Sequence, residues 1–105
     1  MSNRTQAMSA MQSAMTILKG MGAQSHSSRL GSVGERVKRL FQTLDGMLTE
    51  LPDDTPDDVL GEVERVVDTL HTVDQSWPGS GDAEAARLLD LAASRLRRIA
   101  QMLSS

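Results

Sequence analysis

Residues 57–103 of this 105-residue chain read DDVLGEVERVVDTLHTVDQSWPGSGDAEAARLLDLAASRLRRIAQML and contain two helical patterns separated by a short break. Apolar side chains recur every three or four positions, a period typical of amphipathic helices that bury one face. They are Val59, Leu60, Val63, Val66, Val67, Leu70 and Val73 before the break, and Ala85, Leu89, Ala92, Leu96, Ile99 and Leu103 after it. The break holds a proline and two glycines, so we predict a tight helical hairpin.

Two further helices are predicted toward the N-terminus. Residues 4–22 place apolar side chains on one face, and residues 33–51 repeat them at three- and four-residue steps. Short connections make consecutive helices antiparallel, so we predict an all-α antiparallel bundle of four helices without strands. The bundle forms a single domain over residues 1–105, with residues 1–25 as a possible separate Met-rich partner-binding helix.

Local signals indicate where two of these helices begin. Ser32 followed by Glu35 indicates a capping box at the start of the second helix. Thr55 is expected to cap the third helix, with Pro56 at its first position. Pro52 ends the second helix because the residue before a proline is disfavoured in helical conformation.

The composition excludes several classes of function. Apolar residues make up 39% of the chain and charged residues 24%, which is typical of one small globular domain. The chain has no cysteine, so it has no disulfide, thiolate metal site or cysteine nucleophile. Phe41 and Trp77 are its only aromatic residues, which leaves almost no platform for stacking the bases of single-stranded nucleic acid.

Charge is segregated along the chain although the net charge is only −3. Residues 1–51 hold six Lys/Arg and three acids (+3), residues 52–84 one Arg and ten acids (−9), and residues 85–105 four Arg and one Asp (+3). The simplest interpretation places an acidic third helix beside basic neighbours. The functional interpretations are an acidic protein-binding surface and a basic patch that contacts phosphate. The acidic surface comprises Asp57, Asp58, Glu62 and Asp68, and the basic patch comprises Arg95, Arg97 and Arg98.

The first predicted helix is rich in methionine. Met8, Met11, Met15 and Leu18 share one face with small alanines, and a core stripe is the simplest interpretation. Flexible methionines are also common on adaptable binding surfaces, so these four residues are candidates for contacting a partner. A thioether copper site is the third alternative, but both histidines lie in other parts of the chain.

No residues form a recognisable catalytic or metal-binding pattern. His71 lies at the edge of an apolar stripe, where we expect a partly buried, hydrogen-bonded histidine, and His26 lies in a predicted loop. The carboxylates between Asp53 and Asp68 fit helix caps and a solvated face better than an acid/base pair. We therefore predict that the chain is not an enzyme and binds no cofactor or metal.

One short motif has a counterpart in a known family. Trp77-Pro78-Gly79 lies in the turn between two predicted helices and is followed by small residues. In this respect residues 56–105 resemble the Trp-X-Gly family of small type VII secretion proteins, which are helical hairpins with the motif at the bend. The resemblance implies side-by-side association, Trp77 packed on the helix pair, Gly79 permitting the turn, and export without a cleavable signal. The alternative is that Trp77 anchors the turn of an unrelated bundle.

These features predict a protein that acts by binding other proteins. The leading interpretation is an adaptor or self-associating bundle whose exposed apolar helix faces, with Trp77 and Gly79, bind a protein partner or a second copy. The alternatives are a type VII secretion substrate or partner, and a small acidic regulator of a basic nucleic-acid-binding protein. Direct binding of nucleic acid is not expected.

The sequence also gives an expectation for location. No apolar run reaches the roughly 20 residues needed to cross a bilayer, and the first 24 residues lack a signal-peptide core. The expected location is therefore the cytoplasm, or the outside of the cell by a route that needs no cleavable signal.

Overall fold

The computed structural model describes residues 2–24, 31–77 and 79–104, except for the side chains at positions 23, 24, 31 and 32. Within these residues the chain forms four helices and no strand, which confirms the predicted all-α bundle. The helices are α1 (Asn3–Gln24), α2 (Gly31–Leu48), α3 (Asp57–Ser76) and α4 (Asp82–Ser104). No helix in this part of the chain is both long enough and apolar enough to cross a membrane. His26, its predicted loop and Pro78 lie outside the described residues.

The helices form two hairpins that pack lengthwise, and consecutive helices α2 and α3 lie at opposite corners of the bundle. α1 packs against α2 and α3, and α4 packs against the same two helices. Arg36 of α2 hydrogen-bonds to Asp90 of α4, and both residues lie in the N-terminal halves of their helices. The neighbours α2 and α4 therefore run parallel, while each hairpin is antiparallel.

The connection between α2 and α3 crosses the end of the bundle, and the first turn of α1 holds it there. Leu51 and Thr55 in this connection are buried. Arg4 Nε donates a hydrogen bond to the Leu51 carbonyl oxygen at 3.1 Å. Asn3 Nδ2 donates to the Thr55 carbonyl oxygen at 3.1 Å and also to the Asp57 carboxylate. Because these contacts bring the starts of α1 and α3 together, those two helices also run parallel.

The predicted apolar stripes meet in one continuous core. All four helices contribute, and the chain between α2 and α3 adds Leu51. The buried apolar residues are Ala7, Met11, Ala14, Leu18, Met21, Val33, Val37, Leu40, Leu44, Met47, Leu51, Val59, Val63, Val66, Leu70, Val73, Ala85, Leu89, Ala92, Leu96 and Ile99. Among the described residues, Leu91 is the only large apolar side chain that is exposed, at 39%. The wide apolar faces of α1 and α4 are thus covered mainly by neighbouring helices.

Two helix starts differ in detail from the predicted caps. α3 begins at Asp57, so Pro56 occupies the cap position with extended backbone, and no side chain caps the helix. The Thr55 hydroxyl instead donates to the Pro52 carbonyl oxygen at 2.7 Å, which satisfies this buried group locally. α2 begins at Gly31, so Ser32 lies inside the helix rather than at its cap.

Candidate interaction surfaces

The predicted methionine surface of α1 divides between the core and one edge of the bundle. Met11 and Leu18 are fully buried, so neither reaches a partner while the bundle is folded. Met8 and Met15 are half-buried and pack against the core from its margin. The accessible part of the stripe therefore consists of Met8 and Met15, which are seven residues, or about two helical turns, apart.

Met15 borders a groove between α1 and α2, which we call the α1/α2 groove. It is lined by Met15, Lys19 and Gly22 of α1 and by Gly34, Phe41 and Leu48 of α2. A notch of about 380 Å³ lies where the two glycines remove side-chain bulk, and a second cavity of about 310 Å³ adjoins it at Phe41 and Lys19. The groove therefore exposes a contiguous strip of apolar surface along the margin of the core.

The notch has room for a methyl group at Gly22. A Cβ built at Gly22 would lie 3.9 Å from Val37 Cγ1, which is ordinary van der Waals contact. Lys19 and Lys38 line the notch and are exposed to solvent. No carboxylate occurs among the described residues that line the groove, so its local charge is positive.

The predicted acidic surface is only partly accessible. Asp57, Asp58 and Asp68 are exposed, but the Glu62 side chain is only 12% exposed. Glu62 lies in the seam between α3 and α4, where its carboxylate pairs with Arg95 at 3.5 Å and with Arg65 at 3.7 Å.

The outermost face of α3 carries a different set of carboxylates. Asp57, Glu64 and Asp68 fall on it, and we call them the acidic stripe. Neither Glu64 nor Asp68 forms an ion pair with any other described residue. Two of the three carboxylates of the acidic stripe, Glu64 and Asp68, therefore leave their charge available to a second molecule.

The predicted basic patch does not form one surface. Arg95 turns toward α3, where it pairs with Glu62 and its Nε atom is buried without a hydrogen-bond partner among the described atoms. Arg98 lines a groove between α3 and α4 beside Asp57 and Asp58. Arg97 turns to the opposite side of α4, toward α2. Three arginines adjacent in sequence are thus dispersed because successive helix positions point in different directions.

Arg97 joins a cluster that sequence reasoning missed. A groove of about 350 Å³ lies between α2 and α4, and we call it the arginine groove. Its lining residues are Arg36, Arg39, Leu40, Thr43, Leu89, Asp90, Ala93, Leu96 and Arg97. Arg36 and Arg39 lie on α2, so only the packing of α2 on α4 brings them to Arg97. Their three-residue spacing on α2 is the one signal in the sequence that could have indicated a shared face.

One carboxylate orders this groove. Arg36 Nε donates to Asp90 Oδ1 at 2.8 Å, and a second guanidinium nitrogen donates to Oδ2 at 3.3 Å. The hydrogen bonds from Arg36 hold the pKa of the Asp90 carboxyl below its ordinary value, and the charge of Arg97 lowers it further. With three guanidinium groups and one carboxylate, the groove carries an excess of two positive charges.

Trp77 closes the bend between α3 and α4. Its backbone N–H donates to the Val73 carbonyl oxygen at 2.8 Å, and its indole Nε1 donates to Asp82 Oδ1 at 3.0 Å. The ring is half-buried against the core. The residue thereby joins the end of one helix to the start of the next.

The two glycines of this bend have different roles. Gly81 has a φ of 91°, in the left-handed region that favours glycine. Gly79 is exposed and approaches the preceding helix closely, because an added Cβ would lie 3.3 Å from the Ser76 carbonyl oxygen. The left-handed conformation thus falls on Gly81, two residues beyond the glycine of the Trp-Pro-Gly motif.

The histidine prediction was wrong in one respect. His71 is exposed, because it points away from the core side on which Leu70 and Val73 are buried. Among the described side chains, no group of three or more His, Asp or Glu lies close enough together to hold a metal ion.

Comparisons of the chain with protein-family models, with curated proteins and with solved structures found no match.

Proposed function

We propose that this chain is a non-catalytic protein–protein interaction module whose α1/α2 groove binds an amphipathic helix of a partner protein. The observation that carries the proposal is the row of half-buried Met15, Phe41 and Leu48 along a groove with a glycine-lined notch. A helix laid in a groove of this kind inserts apolar side chains spaced three, four and seven residues apart. Methionine suits such a surface because its unbranched side chain adapts to its neighbour.

The charge around the groove specifies the partner further. Lys19 and Lys38 are exposed beside the notch, without a carboxylate among its described lining residues. A partner helix with acidic residues flanking its apolar anchors is therefore complementary, whereas a basic helix would be repelled. The proposed occupant is an acidic amphipathic helix.

Two glycine-to-alanine variants distinguish an effect on partner binding from an effect on folding. Gly22→Ala adds a methyl group inside the notch at ordinary contact distance from Val37, and Gly46→Ala adds the same group where nothing lies within 4 Å. Both changes replace glycine by alanine within a helix, which favours folding by about 0.5–1 kcal/mol. Only the first narrows the groove.

The experiment places a photo-crosslinking amino acid at position 38 and, as a control, at position 74 on α3, in the native host. We expect position 38 to capture a partner protein through an amphipathic helix with acidic flanks, and Gly22→Ala to weaken that capture while Gly46→Ala does not. Capture of a second copy alone, equal effects of the two alanine variants, or no adduct at position 38 would refute the proposal.

The bend at Trp77 favours a second candidate, a type VII secretion substrate or partner. The half-buried ring and its bond to Asp82 agree with the place that the Trp-X-Gly resemblance implies for this residue. The α1–α2 hairpin packs lengthwise on the α3–α4 hairpin within this chain. The resemblance implies a similar side-by-side packing between two separate hairpin chains.

This candidate predicts that Trp77→Ala lowers the fraction of the protein found in the culture medium without cell lysis. Ser80→Ala changes an exposed residue of the same turn and serves as the control. Equal export of the two variants would refute this second candidate function. Export of any of these proteins would show that the chain reaches the outside of the cell rather than staying in the cytoplasm.

A further inference from the structure

Two surfaces of opposite charge lie on different sides of the bundle. The arginine groove lies between α2 and α4, and the acidic stripe lies on the outer face of α3. Because α2 and α3 occupy diagonal corners, the two surfaces cannot meet within one molecule. Two molecules can bring them together.

The arginine groove is organised to receive carboxylates. Asp90 holds Arg36 in a two-point contact, which fixes that guanidinium, and the three arginines together still outnumber this single carboxylate. Arg39 and Arg97 are exposed on either side of the groove, one from each helix. Their planar, multiple N–H donors suit carboxylate oxygens, and the small side chains of Thr43 and Ala93 leave room between them.

The acidic stripe offers two neighbouring carboxylates on one face of α3. Glu64 and Asp68 are one helical turn apart, about 6 Å along α3, and both are exposed. Neither carboxylate is engaged in an ion pair among the described residues.

We infer that the chain associates head to tail, with the acidic stripe of one copy seated in the arginine groove of the next. The contact joins two different surfaces, so each added copy leaves one groove and one stripe open, and association continues beyond a dimer. The charged side chains are exposed, so the association is weak and depends on ionic strength. This inference uses other surfaces than the α1/α2 groove and does not rest on the proposed function.

Complementary variants test the inference. Arg39→Gln with Arg97→Gln removes the charge of the groove but leaves the Arg36–Asp90 pair, and Glu64→Gln with Asp68→Asn removes the charge of the stripe. Asp54→Asn with Asp74→Asn makes the same change in net charge as the stripe variant at exposed positions outside the stripe. Circular dichroism checks that each variant keeps its helix content.

Sedimentation velocity is measured at about 0.01 M salt and again at about 0.15 M, where the Debye length falls from about 30 to about 8 Å. We expect the original chain and the Asp54/Asp74 variant to form species larger than a dimer at low salt and to dissociate at high salt. The groove variant and the stripe variant should each be monomeric alone, and their equimolar mixture should stop at a 1:1 dimer.

Three results would overturn the inference. The first is a monomeric original chain at low salt and high protein concentration. The second is association of either single-surface variant with itself to the same extent as the original chain. The third is an equimolar mixture of the two variants that stays monomeric.

Discussion

The α1–α2 hairpin and the α3–α4 hairpin contribute to one core but form different seams. Across the α3–α4 seam, Glu62 and Arg95 form an ion pair whose side chains are 12% and 28% exposed. Across the α1–α2 seam, half-buried Met15, Phe41 and Leu48 line an open groove. The groove in the α3–α4 seam is lined mainly by charged side chains and offers little apolar surface to a partner, whereas the α1–α2 seam, built from methionine and glycine, retains it. This difference is the reason that the binding site proposed above lies on the first hairpin.

Among the variants that test this comparison, we expect core substitutions to change the free energy of unfolding most. Leu89 is fully buried in α4, so Leu89→Ala should lower the free energy of unfolding by about 2–5 kcal/mol. Met11 is equally buried in α1, but Met11→Leu conserves volume and should cost less than about 1.5 kcal/mol. Urea unfolding followed by circular dichroism measures both. A loss for Met11→Leu as large as that for Leu89→Ala would mean that the core around α1 does not tolerate even a volume-conserving change of side-chain shape.

A smaller effect is expected at the bend of the α3–α4 hairpin. Gly81 adopts a φ of 91°, so Gly81→Ala should cost about 1–2 kcal/mol because a Cβ is strained in the left-handed region. Gly46→Ala in the α1–α2 hairpin should instead stabilise the fold by about 0.5–1 kcal/mol. Thermal unfolding of the two variants shows whether each substitution raises or lowers the stability of the fold. A stabilising Gly81→Ala would contradict the role assigned to this bend.

The smallest effect concerns Asp90, which lies where the two hairpins meet. Its pKa is lowered chiefly by the hydrogen bonds from Arg36, with a smaller contribution from Arg97. The pKa of Asp90 is lower in the folded state than its ordinary value of 3.8, which applies to the unfolded state. The Arg36–Asp90 pair therefore stabilises the fold fully at pH values above 3.8. That stabilisation is lost as the pH falls through the folded pKa.

Carboxyl NMR titration of Asp90 checks this assignment. Arg36→Gln should raise the pKa of Asp90 toward its ordinary value, and Arg97→Gln should raise it by less. A larger shift with Arg97→Gln would show that the Arg36 hydrogen bonds are not the main cause.

Much of the local structure could be predicted from the sequence, since its causes act over a few residues. The repeat of apolar residues identified the four helices, and the break around Trp77 identified the second hairpin. The predicted caps at Ser32 and Thr55 were less accurate. A hydroxyl next to a helix start has several nearby acceptors, and Thr55 uses the carbonyl oxygen of Pro52.

The interaction surfaces were much less predictable. Neighbouring arginines 95, 97 and 98 suggested one patch, but helix geometry directs them to different sides of α4. The arginine groove and the α1/α2 groove each combine side chains from two helices, and no short window of sequence contains either set. Glu62 looked like a surface acid because its partner Arg95 lies 33 residues away.

The amino-acid order alone was enough to establish helices, their apolar faces and the proline and glycine breaks, because backbone preference and helical period are local properties. The diagonal arrangement of α2 and α3 came from the folded chain. It depends on contacts between residues 47 and 54 positions apart, from Arg4 to Leu51 and from Arg36 to Asp90. Such contacts depend on how whole helix faces fit together, so they separate the acidic stripe from the arginine groove and set which surfaces remain for a partner.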